Sequence, residues 1–339
     1  MNAKHKRILQ YLGYAAFYLF ALMFFALLTF PFDRLRTRIQ SEFNASQTGP
    51  NPLTLRLGHL SSYWFSGVRA DDVDLISPPS SVPSEDPAKP NKPKVMRIDS
   101  VRVRVSLLRL LFGTTHVNFG ADAFGGSISG FTSDADGGRK LEVDIEDLGL
   151  ANAPLLADML GLPIAGTLGG HVEFLLPEGK LSKAEGKVDL KFSGLSAGDG
   201  KTKVLNAIAL PKVEVGDLTL KATATAGGLK VDQLSAAGKD LDLQGDGSLR
   251  LRDNFDQSVL SLNARFKFNA RFTNKDDMTR SLFGAPGSSV PALFDMVPQN
   301  KQAKRPDGFY GWRVNGTFSH PTFVPSASTG ASAVGGAPL

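Results

Sequence analysis

The chain has 339 residues, no cysteine, and 38 Lys and Arg against 33 Asp and Glu, which excludes disulfide bonds and thiolate metal sites. Residues 1–38 carry six basic side chains and one acidic one, so the net charge of +5 comes from this N-terminal flank. The balanced remainder lacks the basic footprint of a nucleic-acid-binding protein, whereas the basic flank suits anionic lipid headgroups.

A long apolar run opens the chain, with no charged residue between Arg7 and Asp33. A helix over 9–30 would be about 33 Å long at ~1.5 Å per residue, close to the roughly 30 Å hydrocarbon core of a bilayer. We therefore predict a transmembrane anchor at 9–30 after a short segment, 1–8. A signal peptide needs a shorter apolar core and a small-residue cleavage site. Three basic residues on each side of the run leave the orientation open.

A second helix is predicted over 31–46, where Phe32, Leu35, Ile39 and Phe43 recur at helical spacing. Pro31 would kink this helix away from the anchor at the membrane surface. Two roles remain open for it, an amphipathic segment lying in the membrane interface and a plain juxtamembrane stalk.

From residue 53 onward the hydrophobic period changes from helical spacing to alternation, which is typical of strands. Alternating runs lie around 53–57, 63–76, 101–105, 116–119, 127–131, 141–145, 188–192, 213–220, 229–231 and 241–251. Six prolines within 77–94 predict a mobile loop there. We interpret residues 107–111 as a short apolar turn and 152–161 as a short helix.

The longest alternation, 260–272, predicts one long strand with apolar and polar residues on opposite faces. Residues 273–283 fit a short helix, 284–306 an irregular segment, 310–323 a last strand pair, and 326–339 a disordered tail. The predicted fold is therefore mainly β: an elongated, curved antiparallel sheet over 53–325, forming a groove or open barrel, with one or two short helices.

Each catalytic or ligand-binding motif fails on its own spacing. Gly200-Lys201-Thr202 has Leu195 where a P-loop needs glycine, and Gly245-Asp246-Gly247, interpreted as a turn, lacks the third glycine of a dinucleotide loop. The histidines show no ligand spacing: His5, His59, His116, His171 and His320. We therefore predict a protein that is not an enzyme and has no catalytic, cofactor-binding or metal-binding residues.

The order of several landmarks resembles the type II secretion system protein N family in its AsmA-related form. The apolar run leads into FPFDRLR at 30–36, and SSYWFSGVRADDVDL follows at 61–75. LLRLLFG at 107–113 precedes FGGSISG at 124–130, and GLPIAGTLGGHVEF at 161–174 leads to AEGKVDL at 184–190. YGWRVNGTFSHPTFVP at 310–325 completes the set, so the likeness covers most of residues 8–325.

This resemblance implies a single-pass protein of the bacterial inner membrane, with a cytoplasmic N-terminus and a periplasmic β-domain over 53–325. It implies association with other type II secretion subunits as an accessory or scaffold, and no catalytic residues. The alternative is an AsmA-like protein that binds or transfers phospholipid in an apolar β-groove. Four inward-facing residues would distinguish these roles, by being covered by protein or lining an open channel: Leu241, Leu243, Phe266 and Phe268.

Overall fold

A computed structural model describes residues 11, 13–14, 17–18, 20–22, 24–25, 29–47, 52–78, 93–152, 163–200, 203–204, 208–209, 211–284 and 292–327. The chain divides into two compact units, 1–123 and 124–339. Both are built mainly from antiparallel strands, which confirms the predicted fold class at this level. The prediction of one β-domain over 53–325 stays a prediction.

The first unit is a four-stranded antiparallel meander with a helix on one face. Its elements are α1 (Phe32–Ser46), β1 (Thr54–Tyr63), β2 (Gly67–Ser77), β3 (Lys94–Val105), α2 (Leu107–Leu111) and β4 (His116–Ala123). Each strand pairs with the next one along the chain. Most of the predicted loop at 77–94 lies outside the described residues. Residues 107–111, predicted as a turn, form a short helix instead.

Helix α1 confirms the helix predicted at 31–46 and shows what its apolar stripe contacts. Phe32, Leu35 and Ile39 pack on a buried cluster of three sheet residues, Leu60, Ala70 and Val73. These three residues of the stripe therefore cover part of the sheet, and the two roles at the membrane stay predictions.

Two hydrogen bonds fix the direction of α1 along β1. The Arg36 guanidinium donates to the carbonyl oxygen of Gly58 at 2.8 Å, and the Asn44 side-chain oxygen accepts from the amide of Leu55 at 2.8 Å. Helix and strand therefore run in opposite directions, and the N-terminus of α1 lies towards the end of β1.

The predicted anchor at 9–30 lies partly outside the described residues. Within the described part of the chain, no helix is long and apolar enough to cross a membrane. The large apolar side chains of this stretch that are described are exposed, as at Tyr11, Phe17 and Leu22. The anchor stays a prediction.

The second unit contains a ten-stranded antiparallel sheet. Its strands are β5 (Gly126–Ala135), β6 (Gly138–Gly149), β7 (Ile164–Leu176), β8 (Glu185–Ala197), β11 (Val213–Thr225), β12 (Gly228–Ala237), β13 (Leu241–Arg250), β14 (Val259–Phe268), β15 (Tyr310–Thr317) and β16 (His320–Pro325). A small pair, β9 (Lys203–Val204) and β10 (Ile208–Ala209), lies between β8 and β11 in the chain. The ten strands are paired in chain order and the sheet is not closed, because β5 and β16 do not pair with each other.

Short helices cover parts of this sheet. They are α3 (Ala270–Thr273), α4 (Asp277–Phe283), α5 (Leu293–Met296) and α6 (Pro298–Ala303). The prediction of one or two short helices was therefore too low, and the segment predicted to be irregular, 284–306, holds two helices in its described part. The helix predicted at 152–161 lies almost entirely outside the described residues, and so does most of the predicted tail at 326–339.

The predicted long strand 260–272 is wrong beyond Phe268. Asn269 ends the strand because its amide donates to the carbonyl oxygen of Asp240 at 2.9 Å and its side chain donates to that of Gly238 at 3.0 Å. The amide of Phe272 then bonds back to the Asn269 carbonyl at 2.9 Å and starts α3. This turn carries Phe272 into the core, where it is fully buried.

Candidate functional site

The most distinctive surface of the second unit is the apolar face of its ten-stranded sheet. Residues paired directly across antiparallel strands point to the same face. The register joins ten apolar residues, one from each strand, into what we name the central row: Ile128, Ile145, Gly170, Leu190, Leu220, Leu234, Gly245, Ala264, Trp312 and Pro325. At about 4.8 Å per strand, the row is roughly 43 Å long.

A parallel row widens this face. Its members are also apolar: Gly130, Val143, Val172, Val188, Ala222, Val231, Gly247, Leu262, Val314 and Phe323. Together the two rows form a continuous apolar strip across ten strands, without a charged side chain.

Two glycines that were interpreted as part of a turn lie inside β13 and contribute to this strip. A side chain at Gly245 would place its Cβ 2.5 Å from the Leu234 side chain, and one at Gly247 would run into the carbonyl oxygen of Ser261 and the Cα of Leu262 on β14. Gly245 therefore makes room for a leucine of β12, and Gly247 for the close approach of the β14 backbone. The motif therefore packs within a strand and does not form a turn.

The strip is flanked along its two long sides by buried clusters. On one side lies a cluster around Phe174 and Val188 that includes the fully buried Ala184. On the other side lies a cluster around Val213 and Phe272. Every member of the central row, in contrast, is half-buried. Neighbouring strands flank these side chains, and part of their surface stays accessible.

The four residues expected to separate a closed core from an open channel lie beside or next to the buried cluster that contains Phe272. Leu241, Leu243 and Phe268 pack around the buried cluster that contains Phe272. The ring centroids of Phe268 and Phe283 are 4.4 Å apart, and Phe266 stacks on Tyr310 at 5.6 Å. Helical residues therefore pack against this part of the face, although its four residues are half-buried like those of the central row.

On the opposite, polar face of the sheet, three possible metal ligands lie close together although the histidines show no ligand spacing in the sequence. Glu142, Asp144 and His171 place one possible ligand atom each within 4.8 Å of the others. Asp144 and His171 are direct cross-strand partners, with 2.6 Å between His171 Nδ1 and Asp144 Oδ1. Lys140 Nζ lies 3.0 Å from Glu142 and 2.8 Å from Glu173. A cation could fit this geometry, but Glu142 is already paired with Lys140 and Asp144 with His171.

The pKa values of two described histidines are shifted in opposite directions. The hydrogen bond to Asp144 raises the pKa of His171, whereas burial and the nearby Arg109 lower the pKa of His116. In an NMR pH titration we expect His171 above, and His116 below, the ordinary value of about 6.5. Asp144→Asn should lower the His171 midpoint and leave that of His116 in place.

The raised pKa of His171 also determines how the stability of the fold changes with pH. The folded-state pKa of His171 exceeds the unfolded one, so its pair with Asp144 stabilises the fold below about pH 6.5, and this contribution disappears as pH rises through the folded pKa. An unchanged His171 midpoint in Asp144→Asn would contradict the assigned cause.

Comparison of the chain with protein-family models, with curated proteins and with solved structures gives no match. The arguments for function therefore come from the residues and their geometry.

Proposed function

We propose that this protein binds the acyl chains of phospholipids along the central row of the larger sheet. The observation that carries the proposal is a continuous, partly accessible apolar row across ten strands. Contiguous apolar surface of this extent normally marks an interaction site. Covering it stabilises a complex by roughly 25 cal/mol per Å² of apolar surface.

An acyl chain fits the chemistry of this row better than a polar ligand does. A specific polar ligand would need hydrogen-bonding side chains at defined points, and the ten members of the row offer only aliphatic groups, glycines, one proline and the indole of Trp312. A long, narrow, featureless surface selects for a flexible hydrocarbon. This function is consistent with the predicted location, in which residues 9–30 hold the protein at a membrane.

The test uses the full chain, purified in detergent and incubated with a phospholipid that carries a photoactivatable acyl chain. We expect crosslinks to peptides from the central row and co-purified phospholipid in native mass spectrometry. Leu220→Gln should lower both several-fold, because it puts an amide on the row. Lys221→Gln is the matched control, since its side chain is the next one on β11 and lies on the polar face.

Circular dichroism must show that both variants keep the fold. A folded Leu220→Gln variant that retains full lipid, or crosslinks that map away from the central row, would contradict the proposal.

A second candidate is an accessory or scaffold role in a type II secretion system, as the sequence resemblance implies. It is favoured by β16, the last strand of the sheet, where Phe323 is 57% exposed and Val324 is 45% exposed. An accessible apolar edge strand is a template for pairing with a strand of another protein.

This candidate is tested with a photocrosslinking amino acid at position 322 or 324 in cells that carry the secretion system. Crosslinks to other inner-membrane secretion subunits are expected there, and none from position 221, which lies on the same polar face but on an inner strand. Equal crosslinking from β16 and from position 221 would count against a specific edge contact. The proposed location, with the N-terminus in the cytoplasm and the main domain in the periplasm, is tested by the protease accessibility of tags at the two ends.

A further inference from the structure

One end of the first unit exposes large apolar side chains that its own core does not use. The turn between β1 and β2 presents Trp64, 66% exposed, and Phe65, 52% exposed. Helix α2 and the residue after it present Leu108, Leu111 and Phe112, which are 76%, 79% and 83% exposed. We name these five residues the apolar tip.

Hydrogen bonds hold the two segments of the apolar tip at the same end of the sheet. The Ser66 hydroxyl donates to the carbonyl oxygen of Val105 at 2.6 Å, and the Val105 amide donates to the carbonyl oxygen of Ser66 at 3.2 Å. The guanidinium carbon of Arg104 lies 5.9 Å from the ring centroid of Trp64. The exposed side chains therefore belong to one surface built by β1, β2 and β3.

The charges around the apolar tip have a single sign. Residues 57–70 and 101–121 contain four arginines and no Asp or Glu. Arg69 and Arg102 form ion pairs with acidic residues further along the strands. Arg104 and Arg109 have no carboxylate partner within the described part of the chain. The surface next to the tip is thus complementary to anionic groups.

A buried histidine positions one of these arginines. Arg109 Nη1 lies 2.6 Å from His116 Nδ1. The imidazole is buried, and burial together with Arg109 lowers the pKa of His116. A neutral imidazole can accept a hydrogen bond from the guanidinium at Nδ1. Arg109 is therefore held in place beside Leu108 and Leu111 as a fixed cation.

The path of α1 relates this end to the N-terminal apolar stretch. Because α1 runs opposite to β1, its first residue, Phe32, lies towards the end of β1 that leads into Trp64. The ring of Phe32 is 4.8 Å from that of Phe30, which is 45% exposed. The chain of the predicted anchor, 9–30, therefore enters the unit at the end that carries the apolar tip.

We infer that the apolar tip docks into the boundary between headgroups and acyl chains of a bilayer that contains anionic phospholipid. Indole and phenyl rings with leucines are the side chains that enter this boundary, and Arg104 and Arg109 would face the phosphates. This surface lies in the first unit, so the inference does not depend on acyl-chain binding by the central row. A docked tip would hold the first unit against the membrane at a second point beside the anchor.

The experiment places the full chain in vesicles and measures quenching of Trp64 by lipids brominated on the acyl chain. Trp312→Phe leaves Trp64 as the single tryptophan of the chain. In vesicles with one-third phosphatidylglycerol we expect blue-shifted emission from Trp64. We also expect strong quenching by lipids whose bromine atoms lie near the headgroup end of the acyl chain. Arg104→Gln and Arg109→Gln should each weaken docking roughly fivefold, since a basic residue near an anionic surface contributes about 1 kcal/mol.

The matched control moves the indole to the other end of the same sheet. Val95, at the start of β3, is 47% exposed, and Val95→Trp in a Trp64→Phe, Trp312→Phe background should show little quenching in the same vesicles. Equal quenching at positions 64 and 95 would overturn the inference. So would quenching at position 64 that is the same in purely zwitterionic vesicles or unaffected by replacing Leu108, Leu111 and Phe112 with serine.

Discussion

Phe272→Ala is expected to lower the free energy of unfolding of the second unit by about 4 kcal/mol, within the range for truncating a buried phenylalanine. Phe272 is 0% exposed, and its ring lies 5.5 Å from that of Phe268 and 5.6 Å from that of Phe283. Removing the ring leaves a cavity between the sheet and the short helices. Urea unfolding followed by far-UV circular dichroism measures the loss.

Phe323→Ala is the matched control for this variant, because the same side chain is 57% exposed on β16. We expect a change of about 1 kcal/mol or less there, as for surface substitutions in general. A loss at position 272 no larger than that at position 323 would show that α3 and α4 do not cover the sheet in solution.

The sequence predicted most strands because alternation is a local property. Each strand of the larger sheet sets apolar side chains on one face and polar ones on the other, and this period of two is visible without knowledge of partners. The predicted helix at 31–46 was found for the same reason, since all residues of its apolar stripe lie within one short segment of the chain. Both signals depend only on positions within about ten residues of each other.

Helix α4 lies within the short helix predicted at 273–283, but the shorter helices at 270–273 and 293–296 were missed because their stability comes from tertiary contacts. A helix of four to seven residues is too short to form alone, so neither 270–273 nor 293–296 carries a readable pattern. The alternation through Ala270 and Phe272 even favoured a strand. What ended β14 was the pair of bonds from Asn269 to the loop at 238–240, a contact some thirty residues away in the chain.

The candidate sites could not be predicted from the sequence, because they depend on which residues pair across neighbouring strands. The central row takes one residue from each of ten strands, and the register shifts at several points, such as between Lys221 and Ala222. No single strand shows which of its apolar residues will join the row. The same holds for the group of Glu142, Asp144 and His171, which meet across two strands.

Gly227→Ala is expected to cost about 4 kcal/mol and to detach a covering segment from the sheet. Gly227 lies in the tight turn between β11 and β12 at φ 75°, where a side chain is strained by about 1–2 kcal/mol. An added Cβ would also lie 1.9 Å from the carbonyl oxygen of Ser182. Relieving that clash must displace the segment Leu181–Lys183 and weaken the bond of 3.0 Å from the Gly227 amide to the Ala184 carbonyl.

Gly179→Ala separates strain from clash. Gly179 has nearly the same backbone conformation, φ 70°, but an added Cβ would meet no atom within 4 Å, so only the strain of about 1–2 kcal/mol should appear. The two variants are compared by urea unfolding and by amide exchange at Ala184 and Leu251. Faster exchange at both amides in Gly227→Ala alone is expected, because these residues flank the turn in the buried cluster. Equal losses in the two variants would mean that the contact between the turn and Ser182 contributes nothing to the fold.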